Sequence, residues 1–172
     1  GRSEGLIAHE IAHQWFGDCV TEADWHHIWL NEGFATYSES LYKEYSQGYD
    51  AYLAQIKIEM EDGNNNAKDA VGTVYVQNIN SVYNIFDPSR SYAKGATILH
   101  MLRGVLGDEH FFATLKKYGQ DSKFTYDVAT TEDFQGIAEE VSGKDLDYFF
   151  AQWIYGEKYP EYTIEYITNR IE

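Results

Sequence analysis

The chain has 172 residues and a formal net charge of -15, from 28 acidic and 13 basic side chains. With 44% hydrophobic and 16% aromatic residues it can build a core, which excludes general disorder, and its length fits one domain or a large part of one. The acidic balance excludes the basic footprint of a nucleic-acid binder and disfavours anionic lipid, while a single cysteine, Cys19, excludes an internal disulfide framework and a cysteine-rich zinc finger.

No stretch approaches the roughly 18 apolar residues of a membrane helix, and no signal peptide opens the chain. The first strong motif stands within ten residues of Gly1. A piece excised from a longer protein is therefore expected, soluble, with any targeting signal outside it and no compartment assigned.

Helix signals dominate in chain order. From about Ser3 to Phe16, Leu6, Ile7, Ile11, Gln14 and Trp15 recur at helical spacing, and Gly17 stops them. A second helix is predicted from about Asn31 to Tyr45. A third carries Tyr49, Tyr52, Leu53, Ile56 and Met60 and ends in the loop Asp62-Gly63-Asn64-Asn65-Asn66. Val71 to Phe86 is mixed, with Val74-Tyr75-Val76 β-like. After Asp87-Pro88 a long helix puts Ala96, Leu99, Leu102 and Leu106 on one face and ends at Gly107. Asp108 is the expected cap of the next helix, with Phe111, Phe112, Leu115 and Tyr118. Thr130 or Thr131 caps another, with Phe134, Ile137, Ala138 and Val141, closed by Ser142-Gly143. Asp145 caps the last, with Leu146, Phe149, Phe150, Trp153 and Ile154. Tyr162 to Thr168 alternates and reads as a strand. The class expected is mainly α with one C-terminal β-strand, without internal repeats.

The chemistry concentrates in His9-Glu10-Ile11-Ala12-His13. Histidines at i and i+4 share one helix face, with Cβ atoms about 5–6 Å apart, so both imidazoles can point at one ion. Glu10 sits between them and can reach a metal-bound water without being a ligand. A catalytic zinc wants three protein ligands and an open position. Glu32 follows His13 after eighteen residues, early in the next helix, and can supply the third. Glu39, seven residues further, lies on the same helix face; it reads either as an acceptor for a ligand histidine N–H or as a solvated glutamate. His26 and His27 are loop or packing residues, or a second metal site without an evident third partner.

This spacing, with Glu32 inside Asn31-Glu32-Gly33-Phe34-Ala35, resembles the zinc aminopeptidases of the aminopeptidase N family, which belong to the thermolysin-like two-His-one-Glu zincins. Ser91-Tyr92-Ala93-Lys94-Gly95-Ala96 is similar to the family segment whose tyrosine stabilises the tetrahedral intermediate, so the resemblance gives Tyr92 that role. Lys94 and His100 read as structural.

The resemblance implies one Zn2+ on His9, His13 and Glu32, Glu10 as general base, and peptide substrates cut at the N-terminal bond. It also implies that residues 1–160 are the helical half of the catalytic domain and that 161–172 begin a following β domain. The family's Gly-x-Met-Glu-Asn motif, which grips the substrate amine, is absent from this sequence. The missing half of the catalytic domain and the later domains of the parent are then the expected partners. An isolated chain of this kind should be a poor or inactive peptidase. It should also present an apolar face and so tend to dimerise. The competing readings are a same-fold zinc hydrolase acting as an endopeptidase or epoxide hydrolase, and a non-enzymatic helical interaction module.

Overall fold

The structure, a computed structural model, describes residues 2–159, and for residues 2 and 3 their backbone alone. The strand expected at Tyr162–Thr168, and with it the start of a second domain, lies outside the described residues.

The centre of the fold is the helix α2 (Trp29–Gln47), against which α1 (Arg2–Ala12), α3 (Tyr49–Lys57) and α5 (Gly95–Leu106) all pack. Trp29, Leu30, Phe34, Ala35 and Tyr37 on α2 are fully buried, which is why this helix is central. Asp24 starts the approach to it: its side chain accepts from the His26 N–H at 2.8 Å and caps the short 3-10 turn Trp25–His27.

Beyond α5 follow α6 (Asp108–Tyr118), α7 (Thr131–Ser142) and α8 (Asp147–Trp153); the short α4 (Val82–Ile85) lies between α3 and α5. They close an aromatic core. The Phe34 and Phe134 rings meet edge to face at 5.0 Å, and Tyr118 and Phe134 at 5.2 Å. Each such pair adds roughly 0.5–1.5 kcal/mol to the burial of its rings.

Several expectations are corrected in detail. The first helix ends at Ala12, four residues early, because the chain turns to place Phe16 beside Val20 in an isolated bridge. Two short strands appear that the sequence did not signal, β1 (Val20–Glu22) and β2 (Asp127–Ala129), paired in parallel with Thr21 opposite Val128. Three residues are too few for an alternating pattern. Among the described residues the β-like segment at Val74–Val76 joins no ladder: Tyr75 N–H donates to the Ile154 carbonyl and Val76 N–H to that of His26. Ile58–Asp62 and Pro88–Lys94, both read as α-helix, wind as π-helix.

Two caps are also corrected. Thr130 caps α7 in a full capping box with Asp133, as its spacing predicts. Asp108 does not cap α6: Gly107 takes that position at φ 79°, and the Asp108 carboxylate is drawn to the Arg103 guanidinium at 2.8 Å. Asp145 accepts from the Asp147 N–H at 3.0 Å, while Leu146 holds the cap position of α8.

Candidate metal centre

Helix α1 is turned in an unusual sense. Its apolar residues Leu6, Ile7 and Ile11 are exposed, while Gly5, His9 and Ala12 are buried against the rest of the fold. His9 and His13, one turn apart, have ring centres 4.9 Å from each other.

Each imidazole is oriented through its far nitrogen. His9 Nδ1 lies 3.0 Å from Glu39 Oε1, and His13 Nδ1 lies 3.0 Å from the Phe16 carbonyl. Both partners are acceptors, so Nδ1 donates in each ring and, in the neutral imidazole, Nε2 is left with its lone pair. The two Nε2 atoms converge: each is 3.4 Å from the same oxygen, Glu32 Oε2. Two lone pairs and a carboxylate oxygen facing one another call for a cation. Burial alone would lower the His9 pKa, yet its bonds to Glu32 and Glu39 raise it to about 9. The bond to Glu32 likewise raises His13. Burial would raise Glu32, but His13 and His9 hold it down to about 2. The three ligand atoms, within 4.8 Å of one another, are a donor set that fits a zinc ion with an open position.

Glu10 and Tyr92 flank this triad. Glu10 is exposed on α1, and its charge reaches the Tyr92 hydroxyl. The Tyr92 ring stacks on His9 at 6.1 Å, and its hydroxyl interacts electrostatically with the Glu32 carboxylate. Burial, followed by the charge of Glu32, raises the Tyr92 pKa well above the ordinary phenol value.

A backbone contact sets Tyr92 in place. A Cβ on Gly33 would stand 2.9 Å from Gly95 Cα, and one on Gly95 would stand 2.9 Å from Gly33 Cα. Only two glycines let α2 and the start of α5, where the Pro88–Lys94 turn ends, approach so closely. That turn is π-wound, a form frequent at functional sites. On the other side, the space left by Gly5 admits Glu39, whose Oε2 would be 2.8 Å from a Cβ there.

The remaining sequence candidates are placed elsewhere. His26 Nδ1 meets the Val76 carbonyl, and His27 Nδ1 accepts from the Thr131 N–H at 3.2 Å, so these two are packing residues. His100 bonds the Tyr52 hydroxyl at 2.6 Å. Beside the triad lies Glu22, a buried carboxylate unnoticed in the sequence, bonded by the side-chain amide of Asn31. Burial raises its pKa. The one available signal was a glutamate in a β-branched run. A second acidic group, Glu139, Asp145 and Asp147, is occupied with the Leu146 and Asp147 N–H groups and Gln135.

Comparison with known proteins agrees with this geometry. The model of the peptidase family M1 domain matches residues 2–153. Aminopeptidase M1-C of Oryza sativa subsp. japonica is 35% identical over 167 residues, covering 92% of this chain and 18% of that protein. Aminopeptidase N of Lactococcus lactis subsp. lactis (strain IL1403) is 35% identical over 173 residues, covering 96% of this chain and 20% of that protein. The crystal structure of the M1 zinc metallopeptidase from Deinococcus radiodurans superimposes with a TM-score of 0.76 at 34% identity, over 92% of this chain and 34% of that one. The chain therefore spans about a fifth of the length of these curated relatives. A family match over nearly the whole described chain, on a fold shared with solved members, places this protein in peptidase family M1.

Proposed function

We propose that this chain supplies the metal-binding helical half of a zinc aminopeptidase, with residues 1–160 forming that half and 161–172 beginning a β domain. The observation that carries the reading is the convergence of both Nε2 atoms on one oxygen of Glu32, with each Nδ1 held by an acceptor. In this reading His9, His13 and Glu32 hold one zinc, and the likeness to aminopeptidases and to an M1 zinc metallopeptidase supports it. A zinc ion held by these three residues would supply a more acidic bound water and a Lewis acid for the scissile carbonyl.

The chain's own residues then move the protons. Glu10 takes the proton of the attacking water and passes it to the leaving amine. Tyr92, kept protonated by its raised pKa, gives up Glu32 and donates to the carbonyl oxygen as charge develops there. Such a donor is worth about 3 kcal/mol in the transition state. Glu39 holds the His9 ring in its tautomer. The substrate is a peptide cut at its N-terminal bond. The remainder of the catalytic domain completes the cleft, so the isolated chain turns over poorly or not at all.

Elemental analysis of the purified chain tests the reading. One zinc per chain is expected, lost in Glu32→Ala and kept in Glu10→Gln. In the full-length parent, Glu10→Gln should abolish turnover. Zinc retained by Glu32→Ala, or normal rates in Glu10→Gln, would overturn the assignment.

A further inference from the structure

Lys94 belongs neither to the triad nor to the hydrogen-bond networks around it. It leaves the π-helical turn two residues after Tyr92 and is only 4% exposed. Its Nζ has no hydrogen-bond partner among the described residues. A buried ammonium without a partner is costly, and such groups are normally paired. Burial holds the Lys94 pKa below the ordinary lysine value, and the charge of Glu157 offsets only part of this.

Lys94 lines a cavity of about 300 Å³ whose other walls include Met60, Met101, Trp153 and Tyr159. Lys68 and Lys158 line the same cavity, against one acid, Glu61. Three of the 13 basic residues thus gather around one apolar hollow in a chain of net charge -15. A concave apolar site whose charged lining is net positive, three lysines against one glutamate, is complementary to a ligand with an apolar body and one negative charge. The four-carbon lysine stem is flexible enough for the ammonium to turn toward such a charge.

We propose that this cavity binds a small monocarboxylate with an aliphatic or aryl tail, its carboxylate paired with Lys94 and its tail against Met60, Met101 and Trp153. The site shares no residue with the metal centre, so it stands or falls independently of the peptidase reading.

Octanoate is the probe, titrated into the full chain and followed by calorimetry and tryptophan emission. Octanol has the same tail without the charge, and acetate has the charge without the tail. Saturable one-to-one octanoate binding is expected, with octanol and acetate at least about tenfold weaker, the scale of one charge-assisted hydrogen bond. Trp153→Phe should remove the emission change. Lys94→Met, close in volume, should weaken octanoate to the level of octanol, with circular dichroism verifying the fold. Octanol binding as tightly as octanoate, undiminished octanoate binding by Lys94→Met, or no saturable binding would each overturn the proposal. The octanol comparison needs no variant, so it decides even if Lys94→Met fails to fold.

Discussion

Glu39 carries no chemistry of its own, yet its carboxylate decides which nitrogen of His9 faces Glu32. Replacing it with Gln offers a weaker acceptor that can equally present its amide N–H. Glu39→Gln should therefore lower zinc affinity by about 10–100-fold, measured by competition with a chelator. Unchanged affinity would reduce Glu39 to a surface glutamate. Tyr92→Phe, in the full-length parent, should lower kcat by about 10²–10³ and leave KM little altered; a change confined to KM would move Tyr92 to substrate binding. Glu39 and Glu32 were legible because seven residues return to the same helix face. The Phe16 carbonyl that orients His13 was not, since every residue carries such an acceptor and only the turn after α1 aims this one.

Where elements meet, small residues and buried caps set the geometry. The crossing of α2 with the start of α5, just after the Pro88–Lys94 turn, has no room for a Cβ on either side. Gly95→Ala should cost about 1–3 kcal/mol in denaturant unfolding, the usual price of overpacking, and displace Tyr92 from Glu32. A wild-type stability would show that the crossing can open without penalty. His27 illustrates the buried cap. Its Nδ1 accepts from the Thr131 N–H, the first residue of α7, and Thr131 Oγ1 accepts from Trp29 Nε1 at 2.9 Å. Burial holds its pKa below 6.5, although Asp24 and Glu132 pull the other way. The unfolded chain then takes the proton more readily, so this cap is fully effective above about pH 6.5 and fails as pH falls through it. His27→Asn offers an uncharged acceptor. The stability advantage of wild type over His27→Asn should shrink as pH drops from 7.5 to 5.5, and a constant difference would remove His27 from the cap.

On the whole molecule, the most telling surface is that of α1. Leu6 is 60%, Ile7 57% and Ile11 49% exposed on the helix that carries His9 and leads into His13, and Trp15 in the turn after it is 51% exposed. The polar ligand face is turned into the protein and the apolar face out, the reverse of an ordinary surface helix. An apolar patch of this kind favours association. Sedimentation of the purified chain should show concentration-dependent dimerisation, reduced by Ile7→Lys with Trp15→Lys. A strict monomer at high concentration would show that this face is tolerated in water. The sequence displayed the apolar stripe without its direction. Periodicity defines which residues share a face, and only packing against α2 decides that the histidine face is the buried one.

Determined locally were the helices, whose apolar spacing repeats over several turns, the Thr130 cap, and the ligand pair, whose one-turn spacing is a property of any helix. Glu32 could be proposed as a third ligand because its segment opens the next helix. The tertiary structure decided everything that depends on distant segments meeting. It paired β1 with β2 across more than a hundred residues, seated Tyr92 on His9 through two glycines, and left Lys94 buried without a hydrogen-bond partner among the described residues. The π-wound turns and the diversion of Asp108 from cap to Arg103 belong here too. The physical reason is common to all of these. Backbone preferences act over a few residues, whereas burial, close approach and charge pairing are settled only when the chain has packed.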